Sequence, residues 1–352
     1  MTRALLYCAG GGIGDSLVAS VVARALRARY DRVDALTLPG HRSALERVPD
    51  LDEVLTDDDG DERALAAALN ERAYDASIVT WATARAARVP RMAGIAVRVG
   101  QARRLYSREF TKRVVVRSEL GDVTSPWVDI LLDYARAVGC DTSDRIPRFV
   151  PTPQDEAQAA SVMVGCEPMA SPEAGREYVI LHPTNAIASR RGIWPVGGWA
   201  ALASALADTF ACTVVLSGAK DDEAINAAIV RHARDARVVD IAGKLSIGAF
   251  GAAAQRARAF VGITTGTMHV AAAVGTPTVG IFPFQSDFPE RWGPLGASTA
   301  VVRASYPCHA GDTKESCRDY ACIERLDVDR IVAAAQSLTG GIRARHDTTV
   351  HL

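Results

Sequence analysis

A glycine-rich segment near the amino terminus carries one carboxylate in a position where chemistry is possible. Residues 10–16 read Gly-Gly-Gly-Ile-Gly-Asp-Ser and separate an apolar run from a helical pattern. Glycines at such a turn let backbone amides approach a ligand, and a helix amino terminus favours anionic groups. The dinucleotide fingerprint G-x-G-x-x-G is not met, because Asp15 occupies its sixth position. Asp15 is therefore either a helix cap or, if it points into a cleft, a general base toward an acceptor hydroxyl.

A second polar turn follows an apolar run in the second half of the chain. Thr264, Thr265 and Gly266 precede the sequence Thr-Met-His-Val-Ala-Ala-Ala. Threonine hydroxyls and free helix amides at the carboxyl end of a parallel strand suit a diphosphate. His269 falls in the first turn of the expected helix, where it either contacts the ligand or serves only in packing or capping.

A third candidate segment contains two adjacent cations. Residues 181–195 form a polar loop after an apolar run, and Arg190 and Arg191 precede a Trp-Pro pair that is typical of a helix start. Either arginine could clamp a diphosphate or stabilise a departing nucleotide. A solvated loop with no role in binding is the other interpretation of this segment.

The elements that would position these residues alternate between strand-like and helical patterns in both halves of the chain. Such alternation indicates parallel sheets with right-handed crossovers. A proline-rich and acidic stretch separates the halves, so we expect a domain at 1–150, a linker at 151–176, a second domain at 177–338 and a mobile tail at 339–352. Two nucleotide-binding-like halves with a cleft between them follow from this pattern.

The composition is nearly balanced in charge and therefore excludes few functions. The 352 residues include 40 Lys and Arg against 41 Asp and Glu, so nothing global points to nucleic acid or to an anionic membrane surface. The amino terminus does not resemble a signal peptide, and no run of about 18 apolar residues occurs. We therefore expect a cytoplasmic protein.

Two segments invite a metal-binding interpretation. Cys308, Cys317 and Cys322 have a C-x8-C-x4-C spacing that departs from structural zinc sites, and reduced thiols in a loop are the alternative. The run Asp57-Asp58-Asp59 could be mistaken for a DxD metal motif, but its polar setting favours a solvated loop. No metal site is predicted with these residues, and the role of the cysteines stays open.

Taken together, the three candidate segments resemble glycosyltransferase family 9, whose best-known members transfer heptose from ADP-heptose to lipopolysaccharide. The family's Gly-Asp before an apolar helix is similar to residues 14–17, its Trp-Pro-x-x-x-Trp stretch to residues 194–199, and its Gly-Lys segment to residues 243–246. The most specific motif, Asp-Ser/Thr-Gly-x-x-His-x-x-Ala-Ala, resembles residues 264–273. The resemblance runs in the same order over about residues 4–335.

The resemblance implies an α/β GT-B fold, with two Rossmann-like domains facing each other across a cleft, and an inverting transfer of a sugar, heptose from ADP-heptose in the best-known members. It assigns the catalytic base to Asp15. The donor would be held by Thr184, Arg190, Arg191, Asp222, Glu223, Gly243, Lys244, Thr264, Thr265, Gly266 and His269. We expect no metal and no cofactor beyond this co-substrate, because protein cations and helix amides would neutralise the leaving nucleotide.

Three departures from the family pattern concern the donor site. Thr264 stands where the family usually has Asp, which leaves the donor sugar open. The family's Lys two residues before Trp is replaced by Gly192, so Arg190 or Arg191 must substitute from a shifted register. The usual Glu that holds the nucleoside ribose would be Asp222 or Glu223.

Acceptor recognition is expected in the first domain, at Gly12, Gly14, Arg103 and Arg104. The two arginines belong to a cluster that would suit a phosphorylated or carboxylated acceptor, unless it is only an exposed face. The other members of the cluster are Arg98, Arg108, Lys112 and Arg113.

Other functions remain compatible with the sequence. The expected partners are a nucleotide-sugar donor and a glycan, lipid-linked or small-molecule acceptor, with no nucleic acid and at most peripheral membrane contact. One alternative is a glycosyltransferase acting on a nucleoside or an aminocyclitol, and a second is a GT-B epimerase. A third is a non-catalytic subunit that binds nucleotide sugars.

Overall fold

The computed structural model describes residues 1–164, 178–183, 194–284, 287–306 and 321–340. The chain divides into two compact units, residues 1–150 and residues 151–352. The boundary after Val150 coincides with the end predicted for the first domain. Each unit is built on its own six-stranded parallel sheet.

Strands and helices alternate throughout the first unit, and its strand order is β3-β2-β1-β4-β5-β6. Its elements are β1 (Arg3–Tyr7), α1 (Ile13–Leu26), β2 (Arg32–Thr37), α2 (Pro39–Leu45), β3 (Val54–Thr56), α3 (Glu62–Glu71), β4 (Ala76–Val79), α4 (Ala84–Met92), β5 (Val97–Gln101), β6 (Lys112–Val114) and α5 (Trp127–Arg136). Two short 3₁₀ helices occupy Leu105–Glu109 and Arg117–Leu120. The strand order reverses between β1 and β4, where doubly wound sheets bind ligands at the carboxyl ends of the strands.

The second unit repeats this topology with the order β12-β11-β10-β7-β8-β9, and its order reverses between β7 and β10. Its elements are α6 (Pro153–Met163), β7 (Tyr178–His182), α7 (Val196–Phe210), β8 (Thr213–Leu216), α8 (Glu223–Ala233), β9 (Val238–Asp240), α9 (Ile247–Arg256), β10 (Ala259–Ile263), α10 (Gly266–Ala273), β11 (Thr278–Phe282), α11 (Pro289–Trp292), β12 (Thr299–Arg303), α12 (Ala321–Glu324) and α13 (Val328–Gly340). A 3₁₀ helix at Lys220–Asp222 precedes α8.

Helix α1 is buried on most of its surface. Its apolar residues are buried, and so are Ser16 and Ser20, because α1 packs against α2 and α5 as well as the sheet. Arg24 near its end pairs with Asp50 and Asp144 at 2.9 Å each. Only 10% of its side chain is exposed.

The predicted linker is partly helical. Residues 153–163 form α6, which starts with Thr152 as a cap and packs against α9 of the second unit. Its prolines lie at the start of the helix rather than inside it, which is where a helix tolerates proline. The remainder of that linker, 165–176, and most of the predicted tail, 341–352, lie outside the described residues. Helix α13 extends to Gly340, one residue beyond the predicted start of the tail at Thr339.

Candidate functional site

The glycine loop follows β1 at the point where the first sheet reverses its order. Helix α1 begins at Ile13 with Gly12 as its N-cap, and Asp15 is the third helical residue. Asp15 Oδ2 accepts a hydrogen bond from the Gly12 amide at 2.8 Å. Its Oδ1 accepts no hydrogen bond from another residue in the part of the chain that the structure describes. The capping role is thus observed, and it engages one of the two carboxylate oxygens.

Gly11 and Gly10 make this arrangement possible. Gly11 has φ of +67°, and a Cβ there would lie 2.5 Å from Asp15 Oδ2. A Cβ on Gly10 would lie 1.9 Å from Cδ1 of Trp81, so the indole rests directly on the loop. Neither site accepts a side chain without movement of its neighbour.

Burial of the Asp15 side chain raises the pKa of its carboxyl group. The Gly12 amide, the nearby His41 and the amide of Asp15 itself oppose this shift. His41 belongs to α2, and its Nδ1 lies 2.9 Å from Ser16 Oγ, which also donates to the Cys8 carbonyl at 3.2 Å. Burial lowers the pKa of His41, whereas Asp15 raises it. A carboxyl with a raised pKa and an open oxygen is suited to accept a proton.

A small open pocket adjoins the Asp15 side chain. Its lining includes Gly10, Asp15, Ser16, Trp81, Trp127 and Leu131. Trp81 follows β4 and Trp127 begins α5, so the pocket joins three elements of the first unit. Its enclosed volume is about 10 Å³, enough for one water molecule, so it is an indentation beside Asp15 rather than a closed ligand cavity.

In the second unit, α10 follows β10 directly. Thr265 is its N-cap, and Thr265 Oγ1 lies 2.8 Å from Thr267 Oγ1. The first amides of a helix have no intrahelical acceptor, and its dipole favours an anion there. His269 is 8% exposed, and its Nδ1 is buried without a hydrogen-bond partner among the described residues. Desolvation lowers the pKa of His269 to about 4, so the imidazole is neutral near pH 7.

Two further loops meet at the carboxyl edge of the second sheet. The amide of Gly243 donates to the carbonyl of Gly218 at 3.0 Å, and Gly243 has φ of +70°. Asp222 Oδ2 accepts from the Ala219 amide at 2.7 Å, which fixes the turn before α8. The Glu223 carboxylate is exposed and lies close to Gly243, at 3.1 Å from the position of a Cβ there.

A buried polar network under these loops was not predicted. Asn226 is fully buried and donates to Asp240 Oδ1 at 2.9 Å and to the Ser217 carbonyl at 3.4 Å. Asp240 Oδ1 also accepts from the Ala242 amide at 2.9 Å. His182 Nδ1 lies 3.0 Å from Ser217 Oγ. These contacts hold the loops after β7, β8 and β9 in place.

Similarity to known proteins identifies the family of this chain. The model of glycosyltransferase family 9 (heptosyltransferase) matches residues 62–321. The chain belongs to glycosyltransferase family 9. This family 9 protein is therefore a glycosyltransferase, as the sequence motifs predicted.

Curated relatives and solved structures agree with the family. Lipopolysaccharide heptosyltransferase 2 of Escherichia coli (strain K12) is 26% identical to this glycosyltransferase over 304 residues, covering 83% of this chain and 85% of the relative. The structure of E. coli ADP-heptose lps heptosyltransferase II has a TM-score of 0.75 at 21% identity, covering 98% and 100% of the two chains. A family 9 glycosyl transferase from Veillonella parvula DSM 2008 has a TM-score of 0.78 at 17% identity, covering 96% and 97%. The predicted α/β fold of the GT-B class is confirmed.

Some predicted donor residues of this glycosyltransferase cannot be placed. Thr184, Arg190 and Arg191 lie outside the described residues, as do Gly192 and the cysteines at 308 and 317. The other predicted donor residues all follow carboxyl ends of strands in the second sheet. Among the described residues, no group of three or more His, Cys, Asp or Glu side chains is arranged to hold a metal ion. No helix of that part of the chain is long and apolar enough to cross a membrane.

The predicted arginine cluster of the first domain is not a single surface. Arg98 near the start of β5 donates to the carbonyls of Ile95 and Glu109, and Lys112 at the start of β6 donates to the carbonyl of Ala137. Arg103 and Arg104 follow the opposite, carboxyl end of β5.

The two arginines at that end differ in their contacts. Arg104 pairs with Glu119 at 2.7 Å. Arg103 is exposed, and its side chain has no hydrogen-bond or ion-pair partner in the part of the chain that the structure describes. Linear clustering suggested one patch, but the strand direction separates its members.

The run of aspartates after β3 is also not simply a solvated loop. Asp57 is buried and accepts hydrogen bonds from Tyr7 and from Arg85, with Arg85 Nη2 at 2.6 Å. Asp58 and Asp59 are exposed. No local pattern predicts this network, because Tyr7 and Arg85 are both distant from Asp57 along the chain.

Proposed function

We propose that this glycosyltransferase transfers heptose from ADP-heptose to a hydroxyl group of a glycan acceptor with inversion, acting in the cytoplasm. The observation that carries the proposal is Asp15, a partly buried carboxylate whose Oδ2 is held by the Gly12 amide and whose Oδ1 accepts no hydrogen bond from another described residue. The curated relative from E. coli and a second one from Salmonella typhimurium, 25% identical over 319 residues, are both named lipopolysaccharide heptosyltransferase 2, which supports heptose as the sugar and a lipopolysaccharide core as the acceptor.

Asp15 acts as the general base in this mechanism. Its open oxygen takes the proton of the acceptor hydroxyl as that oxygen attacks the anomeric carbon of the donor, and the bond from this carbon to the ADP oxygen breaks. Attack from the face opposite the leaving nucleotide inverts the configuration. Burial, which raises the pKa of Asp15, makes its carboxylate a stronger base than an exposed aspartate.

The second unit supplies the donor site. The diphosphate binds at the amino terminus of α10, where the first-turn amides and the hydroxyls of Thr265 and Thr267 are available. His269 donates or accepts one hydrogen bond through its unpartnered nitrogen. Because its imidazole is neutral, it contributes a directed hydrogen bond rather than a fixed positive charge.

The ribose and the leaving group are assigned to other loops. Glu223 is the better ribose ligand of the two predicted carboxylates, because Asp222 is engaged in capping its own turn. Lys244 is exposed at the same edge and its Nζ lies 3.1 Å from the Asp240 carbonyl. With Arg190 or Arg191, it would neutralise the departing ADP without a metal.

Calorimetric titration with ADP, UDP and GDP, followed by ADP-heptose, tests the donor assignment. We expect selective binding of ADP and at least tenfold weaker ADP binding by His269→Ala, because a buried polar contact to the diphosphate is lost. Exposed His232 on α8 offers a matched control, and His232→Ala should bind ADP as the wild type does.

The other outcomes of this titration are equally decisive. Preference for UDP or GDP would preserve the glycosyltransferase assignment and reject ADP-heptose as the donor. Transfer of heptose from ADP-heptose to a heptose-deficient lipopolysaccharide core, detected as release of ADP and a product heavier by one heptose, would support the full proposal.

A further inference from the structure

One wall of the pocket beside Asp15 is aromatic, and the proposed mechanism assigns no role to it. The Trp81 side chain is 38% exposed, whereas Trp199 in the core of the second unit is fully buried. Trp81 stands directly at the carboxyl end of β4, next to the reversal of the strand order. Core packing does not account for a large aromatic side chain that is exposed at this edge of the sheet.

The backbone on both sides of Trp81 is fixed. The Thr80 amide donates to the Tyr7 carbonyl at 3.0 Å, which continues the pairing of β4 with β1. The Tyr106 hydroxyl donates to the Ala82 carbonyl at 2.7 Å, and Thr83 caps the start of α4. The indole is therefore held by rigid elements rather than by a loose loop.

The position of the ring is fixed as well. Its five-membered ring lies on Gly10, since a Cβ there would be 1.9 Å from Cδ1 and 2.3 Å from both Cγ and Nε1. Trp81 Nε1 makes no hydrogen bond within the described residues, and the residue is 38% exposed. The Trp81 indole thus offers an apolar surface and one N–H group that has no hydrogen-bond partner among the described residues.

We infer that Trp81 is a stacking platform for the sugar ring of the acceptor that carries the reacting hydroxyl. The enclosed space of the pocket is only about 10 Å³, room for a single water, so the ring would lie with its C–H face on the exposed indole at the mouth of the pocket and place its hydroxyl toward Asp15, which lines the same pocket. Nε1–H is available to a second hydroxyl of the sugar. This inference rests on the proposed role of Asp15 as base and adds a specificity determinant to it.

A sugar ring fits these features better than a purely aliphatic group does. Aliphatic chains need apolar surface all round, whereas this pocket also presents the carboxylate of Asp15. Carbohydrate rings combine an apolar face with a polar rim, and aromatic walls with a few polar groups match that combination. The remaining apolar lining comes from Trp127 and Leu131 on α5.

Three substitutions of Trp81 separate stacking from simple apolar contact. Trp81→Phe keeps a planar aromatic face, Trp81→Leu keeps apolar volume without that face, and Trp81→Ala removes both. The assay uses ADP-heptose as donor and a deacylated, heptose-deficient lipopolysaccharide core as acceptor. We expect the acceptor KM to rise about tenfold in Trp81→Leu and Trp81→Ala, and less than about threefold in Trp81→Phe. Donor KM should stay within about twofold in all three variants.

A second measurement detects acceptor binding without turnover. Adding the core to the wild type in the absence of donor should quench tryptophan fluorescence, and Trp81→Phe should lose most of this quenching while still binding the core. Met92→Ala, which alters an exposed apolar side chain at the end of α4, is the control and should resemble the wild type in both assays.

Equal acceptor KM values for the wild type, Trp81→Leu and Trp81→Ala would overturn the inference, as would fluorescence quenching that persists in Trp81→Phe. If the acceptor KM of Trp81→Leu equals that of Trp81→Phe, the contact is apolar rather than stacking, and the inference is wrong in that respect. Failure of the proposed function looks different. A wild type whose fluorescence is quenched by the core but that transfers no heptose would contradict the donor assignment and leave the platform supported.

Discussion

The carboxylate of Asp15 holds the first turn of α1 with one oxygen and keeps the other available beside the pocket. The sequence allows capping and catalysis as alternatives for Asp15, but the hydrogen bond from Gly12 engages only Oδ2, so the observed cap is compatible with the proposed base. An aspartate fixed at the third helical position by one oxygen loses little orientation when a substrate arrives. That rigidity is an advantage for a base, because proton transfer requires close approach and good alignment.

Asp15→Asn separates the two roles. Asparagine still accepts the Gly12 hydrogen bond but cannot take a proton, so kcat should fall by about 100- to 10,000-fold. Stability should change by less than about 1 kcal/mol. In the wild type, kcat/KM should decline as the pH falls through the pKa of Asp15, which lies above its usual 3.8. Steady-state rates from pH 4 to 9 and thermal unfolding provide the measurements.

Asp155 supplies the matched control for this experiment. It occupies the same third position in α6 and accepts from the Thr152 amide at 2.9 Å. Asp155→Asn should preserve kcat and the pH profile. A comparable loss of rate in Asp155→Asn, or full activity in Asp15→Asn, would count against Asp15 as the base.

The loops at the carboxyl ends of the strands depend on glycines at a few fixed positions. Gly11 allows the chain to turn with positive φ while the Asp15 carboxylate packs against it, and Gly243 allows its loop to meet Gly218. Beneath them, buried side chains such as Asn226 hold neighbouring loops together. The strands thus fix the places where the loops begin, and the loops carry the side chains and amides of the candidate site.

Gly11→Ala tests the requirement for the first of these glycines. The positive φ should cost about 1–2 kcal/mol of stability. The added Cβ, 2.5 Å from Asp15 Oδ2, should also displace the carboxylate and lower kcat. Gly139→Ala is the control, because Gly139 has φ of +77° and open space around the Cβ position. It should lose similar stability and keep its activity. Equal kcat in the two variants would show that the contact with Asp15 is unimportant.

At the scale of the whole molecule, two similar parallel sheets carry different chemical groups. The first unit presents a carboxylate and aromatic walls, and the second presents helix amides, hydroxyls and a buried neutral histidine. The second unit also contains His182, whose pKa burial lowers to about 4. Two buried neutral histidines in one unit make its stability dependent on pH.

The direction of that dependence follows from proton binding. In the unfolded chain a histidine gains its proton near pH 6.5, whereas His182 and His269 resist protonation down to about pH 4. The unfolded state therefore binds more protons between these values, and stability falls as the pH decreases from 6.5 to 4. Each histidine should contribute about 3 kcal/mol to the loss.

Urea unfolding of the second unit at several pH values measures this effect. His269→Leu should remove about half of the dependence that the two histidines cause. His232→Asn, at an exposed site on α8, should leave the pH dependence unaltered. An unchanged slope in His269→Leu would mean that His269 is not neutral in the folded protein.

Much of the molecule could be predicted from the sequence alone. Apolar runs and helical periodicity located most strands and helices, since each reflects local burial on one face of a sheet or helix. The Gly-Asp and Thr-Gly-x-x-His motifs indicated the family, because turns that present backbone amides require specific residue types at fixed spacing. The proline-rich stretch begins near residue 150, where the chain divides into its two compact units, but its composition did not indicate α6.

Only the tertiary structure decided which distant residues meet. Trp81 covers Gly10, His41 approaches Asp15, and Asn226 joins Asp240, yet none of these pairs has a local sequence pattern. The direction of β5 also divided the arginine cluster, because Arg98 lies near the start of this strand whereas Arg103 and Arg104 follow its end. Local motifs encode turns and helix starts, whereas contacts between elements depend on the order and direction in which the strands pair.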